Sequence, residues 1–351
     1  MPRFNFWNVK SIAMKKILED FSHEKGLHCD TSSLRDVFAH AGYGFPEPFF
    51  FGIGEGIGFY YRDGKDGKPP VASGRTGVLE IDQRACRLLG CDLKISTSAS
   101  PRRAQETLAS MLAEGRPVML HADQYYLKYL RSSSHFGAYS LVVAGIDDEA
   151  GTAHIADHMR DSLLEIPLAE LAEARASAHR PFPTRHRWFR FDIPSEINID
   201  GKLVMGAIGR NTMEMLNAPV RNCGVGGIYY LANCMYRWEE KYSKKELDDA
   251  CKILYNAIAG PGTGGSCFRY LYADFLSYAA KNLGLDSLAE TADGYSRVGT
   301  MWSQAAKVLA EVPCGCSALT EAADILQIIA AREHELQVSL MTAANLCCRR
   351  R

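Results

Sequence analysis

The sequence predicts an α+β protein of two domains, one mixed and one all-helical. Three observations predict it. Residues from about 20 to 195 mix short strand-like runs with helical stretches. Beyond about 200 the strand patterns stop and apolar residues recur near a period of 3.6. The chain, at 351 residues, is comfortable for two domains. The expected boundaries are 20–195 and 196–345, with AHRPFPTRHR (178–187) as a connector or the lead into a last strand.

In chain order, MPRFNFWNVKSIAMKKILEDF (1–21) reads as a lead-in followed by a basic helical segment; it lacks the apolar core and cleavage site of a secretory signal. Leu34, Val37, Phe38 and Ala41 fall at helical spacing after Cys29. PFFFGIGEGIGFYYR (48–62) is aromatic, β-rich and punctuated by glycines, and GVLEID (77–82) reads as a short strand or a strand-to-helix passage. SPRRAQETLASMLAEG (100–115) is a helix, capped by Ser100, started by Pro101 and ended by Gly115. RPVMLHAD (116–123) is a buried strand. YSLVVAGID (139–147) and TAHIAD (152–157) flank the turn DEAG as a hairpin. SLLEIPLAELAEARAS (162–177) is a strand then a helix, and RHRWFRFDIP (185–194) is a closing strand. Five or six helices follow, from IGRNTMEMLNAP to ALTEAADILQIIAAREHELQVSLMTAANL.

Composition narrows the function classes. Charged residues make up 23% and balance to a net charge of −1, so bulk charge recruits neither nucleic acid nor an anionic membrane. The apolar runs are too short for a membrane span. Eleven cysteines at irregular spacing do not form a zinc pattern, Cys314-Gly-Cys316 and Cys347-Cys348 included. Scattered thiols without a signal suggest a reducing, cytoplasmic setting. No metal or organic cofactor is indicated. GIGEGIG (52–58) lacks the βαβ context of a dinucleotide loop.

Cys29 is the candidate nucleophile. At a helix N-terminus, unpaired N–H groups favour a thiolate, and a neighbouring histidine can accept its proton. The plainer alternative is a small buried residue. In papain-like cysteine enzymes a hairpin brings the base: a histidine at or before the first strand, oriented by a carboxylate or amide on the second. His135 and Asp157 have that order here. His23, six residues before Cys29, is the oxyanion-donor candidate, and His28 is the rival for any of these roles. Asp123 could bind substrate or hold His121, against a strand-end cap. Arg269, in GPGTGGSCFR, could meet a substrate carboxylate or phosphate, against a structural ion pair.

Several stretches together resemble a known family. They are His23, Gly26-Leu27-His28-Cys29, Leu34, Gly42, Pro46-Glu47 and Phe51 through Gly56, then GRPVMLHADQYYLKY and HFGAYSLVVAGIDDEAGTAHIADH. They resemble the N-terminal domain of the butirosin biosynthesis protein BtrH family. GPGTGGSCFRYLYADFLSYAA (260–280) and GYSRVGTMWSQAAKVL (294–309) resemble the DUF4872-type region that follows it. The resemblance covers about residues 20–340. It implies a papain-like fold put to acyl transfer: an acyl or aminoacyl group passes from an acyl carrier protein or another pantetheine thioester, through a cysteine acyl-enzyme, to a small-molecule amine. A homo-oligomer is compatible with it. In related hairpins the catalytic histidine stands immediately before the strand, where this chain has Tyr139. Either His135 swings into the site or that histidine has been lost, with Tyr139 left to contact substrate. The alternatives are therefore a peptidase or amidohydrolase on the same fold, or an inactive binding protein.

Overall fold

The computed structural model describes residues 14–65, 67–311 and 317–349. They divide into two units of dense internal contact, 14–44 with 94–191 and, among the described residues, 45–93 with 192–349. Residues 45–93, grouped by sequence with the mixed domain, pack instead with the C-terminal helices.

The first unit is built on one sheet. Its strands are β1 (Lys15–Ile17), β4 (Asp92–Ser96), β5 (Val118–Ala122), β6 (Tyr139–Asp147), β7 (Thr152–Ala156), β8 (Leu164–Pro167) and β9 (Trp188–Asp192). The order is β4-β9-β5-β6-β7-β8, with β1 also paired to β6. The pairs β1–β6, β5–β6, β5–β9, β6–β7 and β7–β8 are antiparallel. Lys15–Ile17 is thus a strand, not the basic helix expected there; Lys15 pairs with Asp147 across the ladder and salt-bridges to it at 2.8 Å. The backbone of β1 comes so near β6 at Gly145 that a Cβ there would lie 2.8 Å from Ile17 Cα. β6 is buried along its whole length, which its run of Leu141, Val142, Val143, Ala144 and Ile146 requires.

Helix α1 (Cys29–His40) packs on β6, with Leu34, Val37 and Phe38 buried. Each contributes about 1.5–3 kcal/mol by leaving water. That burial fixes where the N-terminus of α1, and hence Cys29, stands against the sheet. Helices α4 (Pro101–Ala113) and α5 (Leu168–Ala176) complete the unit. Ser100 caps α4 by accepting from Arg103 N–H at 3.3 Å. Strand β9 lies between β4 and β5, inside the sheet.

The second unit contains α2 (Glu47–Ile53), the hairpin β2 (Ile57–Arg62) and β3 (Val71–Arg75), and α3 (Glu80–Leu88). The helices α6 (Gly201–Leu216), α7 (Gly224–Met235), α8 (Trp238–Lys241), α9 (Lys244–Ala259), α10 (Arg269–Asn282), α11 (Ala289–Glu311) and α12 (Ser317–Arg349) follow. PFFF, read as β-type, is helical: Phe49, Phe50 and Phe51 are fully buried in α2, which packs on α10. Packing overrides the strand preference of the phenylalanines. Arg269, at the start of α10, is fully buried against Glu333 of α12, with Nε–Oε1 2.8 Å and Nη2–Oε2 2.9 Å. Its Nη1 donates to the carbonyls of Gly58, Gly74 and Cys267. Arg269 is therefore the structural ion pair and not a substrate contact. Cys314 and Cys316 lie outside the described residues. Among those described, no helix is long and apolar enough to cross a membrane.

Candidate active site

Cys29 is the first residue of α1, and His28 is its N-cap, in extended backbone at φ −130° and ψ 131°. The extended-to-helical step turns three consecutive side chains toward one another. A ring nitrogen of His28, the sulfur of Cys29 and a carboxylate oxygen of Asp30 all lie within 4.8 Å of one another, and all three residues are buried. The Cys29 thiol donates to Asp30 Oδ1 at 3.8 Å. Asp30 also accepts from the Ser140 hydroxyl, on β6. His28 Nδ1 lies 3.2 Å from Thr31 Oγ1, and its Nε2 3.5 Å from Asp30 Oδ2. A structural zinc takes four ligands, and this group offers three among the described residues.

Tyr139 begins β6, and its fully buried partner Asp157 follows β7. Tyr139 donates to Asp157 Oδ2 at 2.7 Å, and Tyr129 donates to the same oxygen at 2.6 Å. The backbone N–H of Met159 reaches Oδ1 at 2.8 Å. Burial, then the charge of Asp157, then Tyr129 and Cys29, drive the Tyr139 phenol far above its ordinary value. It is a fixed donor and not a base. His158, buried beside it, has Nδ1 3.3 Å from the Tyr139 oxygen and 3.7 Å from Asp157 Oδ1.

His135 does not pair with Asp157. Its Nδ1 lies 2.8 Å from Asp123 Oδ2, and its ring stacks on His179 at 3.4 Å between centroids and 10° between planes. Its remaining contacts among the described residues are with Tyr125 and Tyr126, not Cys29. The span 124–138 between β5 and β6 carries it to the end of β5, where Asp123 is waiting. Asp123, fully buried, also accepts from Ser177 Oγ at 2.6 Å and from the N–H groups of Phe136 and Tyr125. Burial pushes its carboxyl up, but Ser177, His135 and the two amides outweigh it and hold it below the ordinary range. So Asp123 holds His135, not His121, and its oxygens are taken.

His23 is not placed as an oxyanion donor. Its Nδ1 bonds Asp36 Oδ2 at 2.6 Å, and its Nε2 is 3.1 Å from the carbonyls of both Asp157 and Arg160. It tethers the segment before α1 to the end of β7. Burial disfavours its charged form, yet Asp36 and the Asp157 carbonyl raise its pKa overall.

The structure thus brings together Cys29, His28, Tyr139 and Asp157, adds Asp30, Ser140, Tyr129 and His158, and sets His135 with Asp123 apart. Asp30 and His158 stood in plain view beside Cys29 and Asp157, but no spacing rule marks a residue adjacent to a nucleophile as its partner.

A buried thiol at the mouth of a helix, with imidazole and carboxylate beside it, defines the class: a cysteine-centred site on an antiparallel sheet in an α+β protein. Residues 28–158 match the family model described as Butirosin biosynthesis protein H, N-terminal. Residues 169–340 match the domain of unknown function DUF4872. With both matches in that order, the chain is a BtrH-like protein. The first match begins at His28 and ends at His158, so it spans the whole cysteine site and omits His23. Comparison with the curated proteins found no match.

Proposed function

We propose that this is an enzyme related to butirosin biosynthesis, an acyltransferase that works through a Cys29 acyl-enzyme on a papain-like first unit. One observation carries the reading: the sulfur, an imidazole and a carboxylate are packed within 4.8 Å at the buried start of α1. His28, not His135, is the base. It takes the Cys29 proton as the sulfur adds to the carbonyl of a pantetheine thioester, and it returns that proton to the departing pantetheine thiol. A small-molecule amine then attacks the acyl-enzyme, loses its proton to His28, and leaves as the amide while the thiol re-forms. Asp30, anchored by Ser140, orients the imidazole and stabilises its charged form. Burial keeps water from competing with the amine.

A second reading has its own observation. Tyr139 occupies the strand-start position and shares Asp157 with Tyr129, which supports a protein that binds the thioester without turning it over. Intact-protein mass spectrometry separates the two. Wild type, Cys29→Ala and His28→Ala are mixed with a panel of acyl-pantetheine thioesters. The expected result is a gain of one acyl group in wild type, none in Cys29→Ala and a much slower gain in His28→Ala. No adduct across the panel, with Cys29 also slow toward iodoacetamide near neutral pH, would move the protein to the binding class.

A further inference from the structure

The second unit contains a cleft that the cysteine site does not use. Its volume is about 700 Å³, within the range of small-molecule sites. It lies where the end of β2 and the turn after it meet the loop before α7, the flank of α7, and α8. Four of its lining residues are cationic, Arg62, Lys65, Arg221 and Lys241, and one is acidic, Asp63.

The acid is already satisfied within the fold. Asp63 is bonded by Lys241, accepts from Tyr61 Oη at 2.8 Å and from Gly64 N–H at 3.0 Å, and has Tyr242 Oη at 3.3 Å. Burial opposes its ionisation, but Lys241 and the two phenols hold its carboxyl below the ordinary range. Asp63 and Lys241 therefore cancel. The other three cations have no carboxylate partner among the described residues. Arg221 is not loose: its guanidinium lies 4.5 Å over the Tyr230 ring and its Nη2 is 3.3 Å from the Tyr230 oxygen. One cation is thus pre-positioned on an aromatic wall, and two stand at the end of a paired hairpin.

We propose that this cleft binds a phosphorylated small molecule, its phosphate oxygens held by Arg62, Lys65 and Arg221 and its organic part lying along Tyr230. Three cations without a carboxylate partner among the described residues, two of them planar guanidinium forks, suit a group with several negative oxygens. A single carboxylate would leave most of that charge unanswered. The site goes beyond the acyl-transfer reading and stands whether or not Cys29 is acylated.

The test is calorimetric titration of the full chain, at low and at physiological salt, with pyrophosphate, ADP and coenzyme A as probes. The comparison is with Lys65→Gln alone and with the triple variant Arg62→Gln/Lys65→Gln/Arg221→Gln. These side chains are at the surface, and an unchanged melting temperature verifies folding. The expected result is saturable binding of at least one probe, weakened at higher salt. It should weaken about threefold in Lys65→Gln and at least about tenfold in the triple variant. Coenzyme A binding well above ADP would assign the ligand to a pantetheine source; equal binding of ADP and pyrophosphate would assign it to a diphosphate. Absence of saturable binding by all three probes at low salt, or equal binding by wild type and a folded triple variant, overturns the proposal.

Discussion

Removing either member of the Arg269–Glu333 pair should unfold the second unit well before wild type. Both side chains are fully buried. Their attraction is offset by the cost of drying two charges, so the intact pair adds little, but a lone survivor is a buried, uncompensated charge. Glu333→Ala leaves the Arg269 guanidinium with only the three carbonyl acceptors of Gly58, Gly74 and Cys267, and it strips Trp302 Nε1 of its acceptor at 2.8 Å. The expected loss is about 3–5 kcal/mol, which for a unit of this size lowers its melting temperature by about 6–20 °C. Arg269→Met should cost at least as much, because Glu333 then keeps only Trp302 while three carbonyls lose a donor. Glu333→Gln, which retains the shape, should fall between. Urea unfolding followed by tryptophan fluorescence, with calorimetric melting beside it, measures all three. If Arg269→Met and Glu333→Ala both cost less than about 1 kcal/mol, the pair does not hold the unit. If Arg269→Met weakens thioester binding at unchanged stability, the arginine is a ligand contact after all.

Tyr139→His would put an imidazole beside Asp157 and should speed the acylation of Cys29 by at least about tenfold, since a positioned general base contributes roughly 10²–10⁴; an unchanged initial rate of adduct formation would show that this position does not serve the sulfur. His23 has its pKa raised in the fold, with burial outweighed by Asp36 and the Asp157 carbonyl. Its contribution to stability is therefore full below the unfolded value of about 6.5 and fades as pH rises through the raised folded value. His23→Gln should accordingly cost more at pH 5.5 than at pH 8.5, read from urea midpoints; equal losses at both would refute the pairing. Gly52, in α2, has no room for a side chain, because a Cβ there would overlap the Phe275 ring of α10. Gly52→Ala should destabilise the second unit by about 1–3 kcal/mol in the same unfolding assay, and a neutral substitution would mean that α2 can shift.

The parts of the fold that could be read from the chain are those whose local signals and tertiary roles agree. Helix α4 shows its Ser100 cap, Pro101 start and Gly115 stop in the sequence, and β6 and β7 show a buried run, a turn and a return. The parts that could not be read are those where distant contacts decide. Phe49, Phe50 and Phe51 are strong β-formers, yet α10 supplies a surface that buries all three from a helix. Strands β3 and β4 are five residues each, with mixed burial and no clean alternation. Lys15–Ile17 pairs as a strand with β6, whose Gly145 leaves room for the close approach of the two backbones. Grouping residues 45–93 with the second unit likewise follows from packing, which no composition shift announces.

The same distinction governs the site. The place of Cys29 was legible because it depends on a local feature, the start of a helix. A base delivered by the sheet depends on how a loop folds, and the loop takes His135 to Asp123 instead. The consequence is mechanical. When nucleophile and base ride on separate elements, their geometry depends on how helix and sheet dock. Here His28, Cys29 and Asp30 are consecutive, so their spacing follows from one extended residue entering one helix, and the Ser140 hydroxyl of β6 bonds Asp30 from the sheet. Asp157 then has a different task. With Tyr129, Tyr139 and the Met159 amide bonded to its side chain, and its backbone carbonyl bonded to His23, it clamps the hairpin to the segment that leads into α1. The hairpin in this chain is bonded to the segment that leads into the cysteine's helix, and in the proposed mechanism the imidazole that serves the sulfur comes from the helix's own cap.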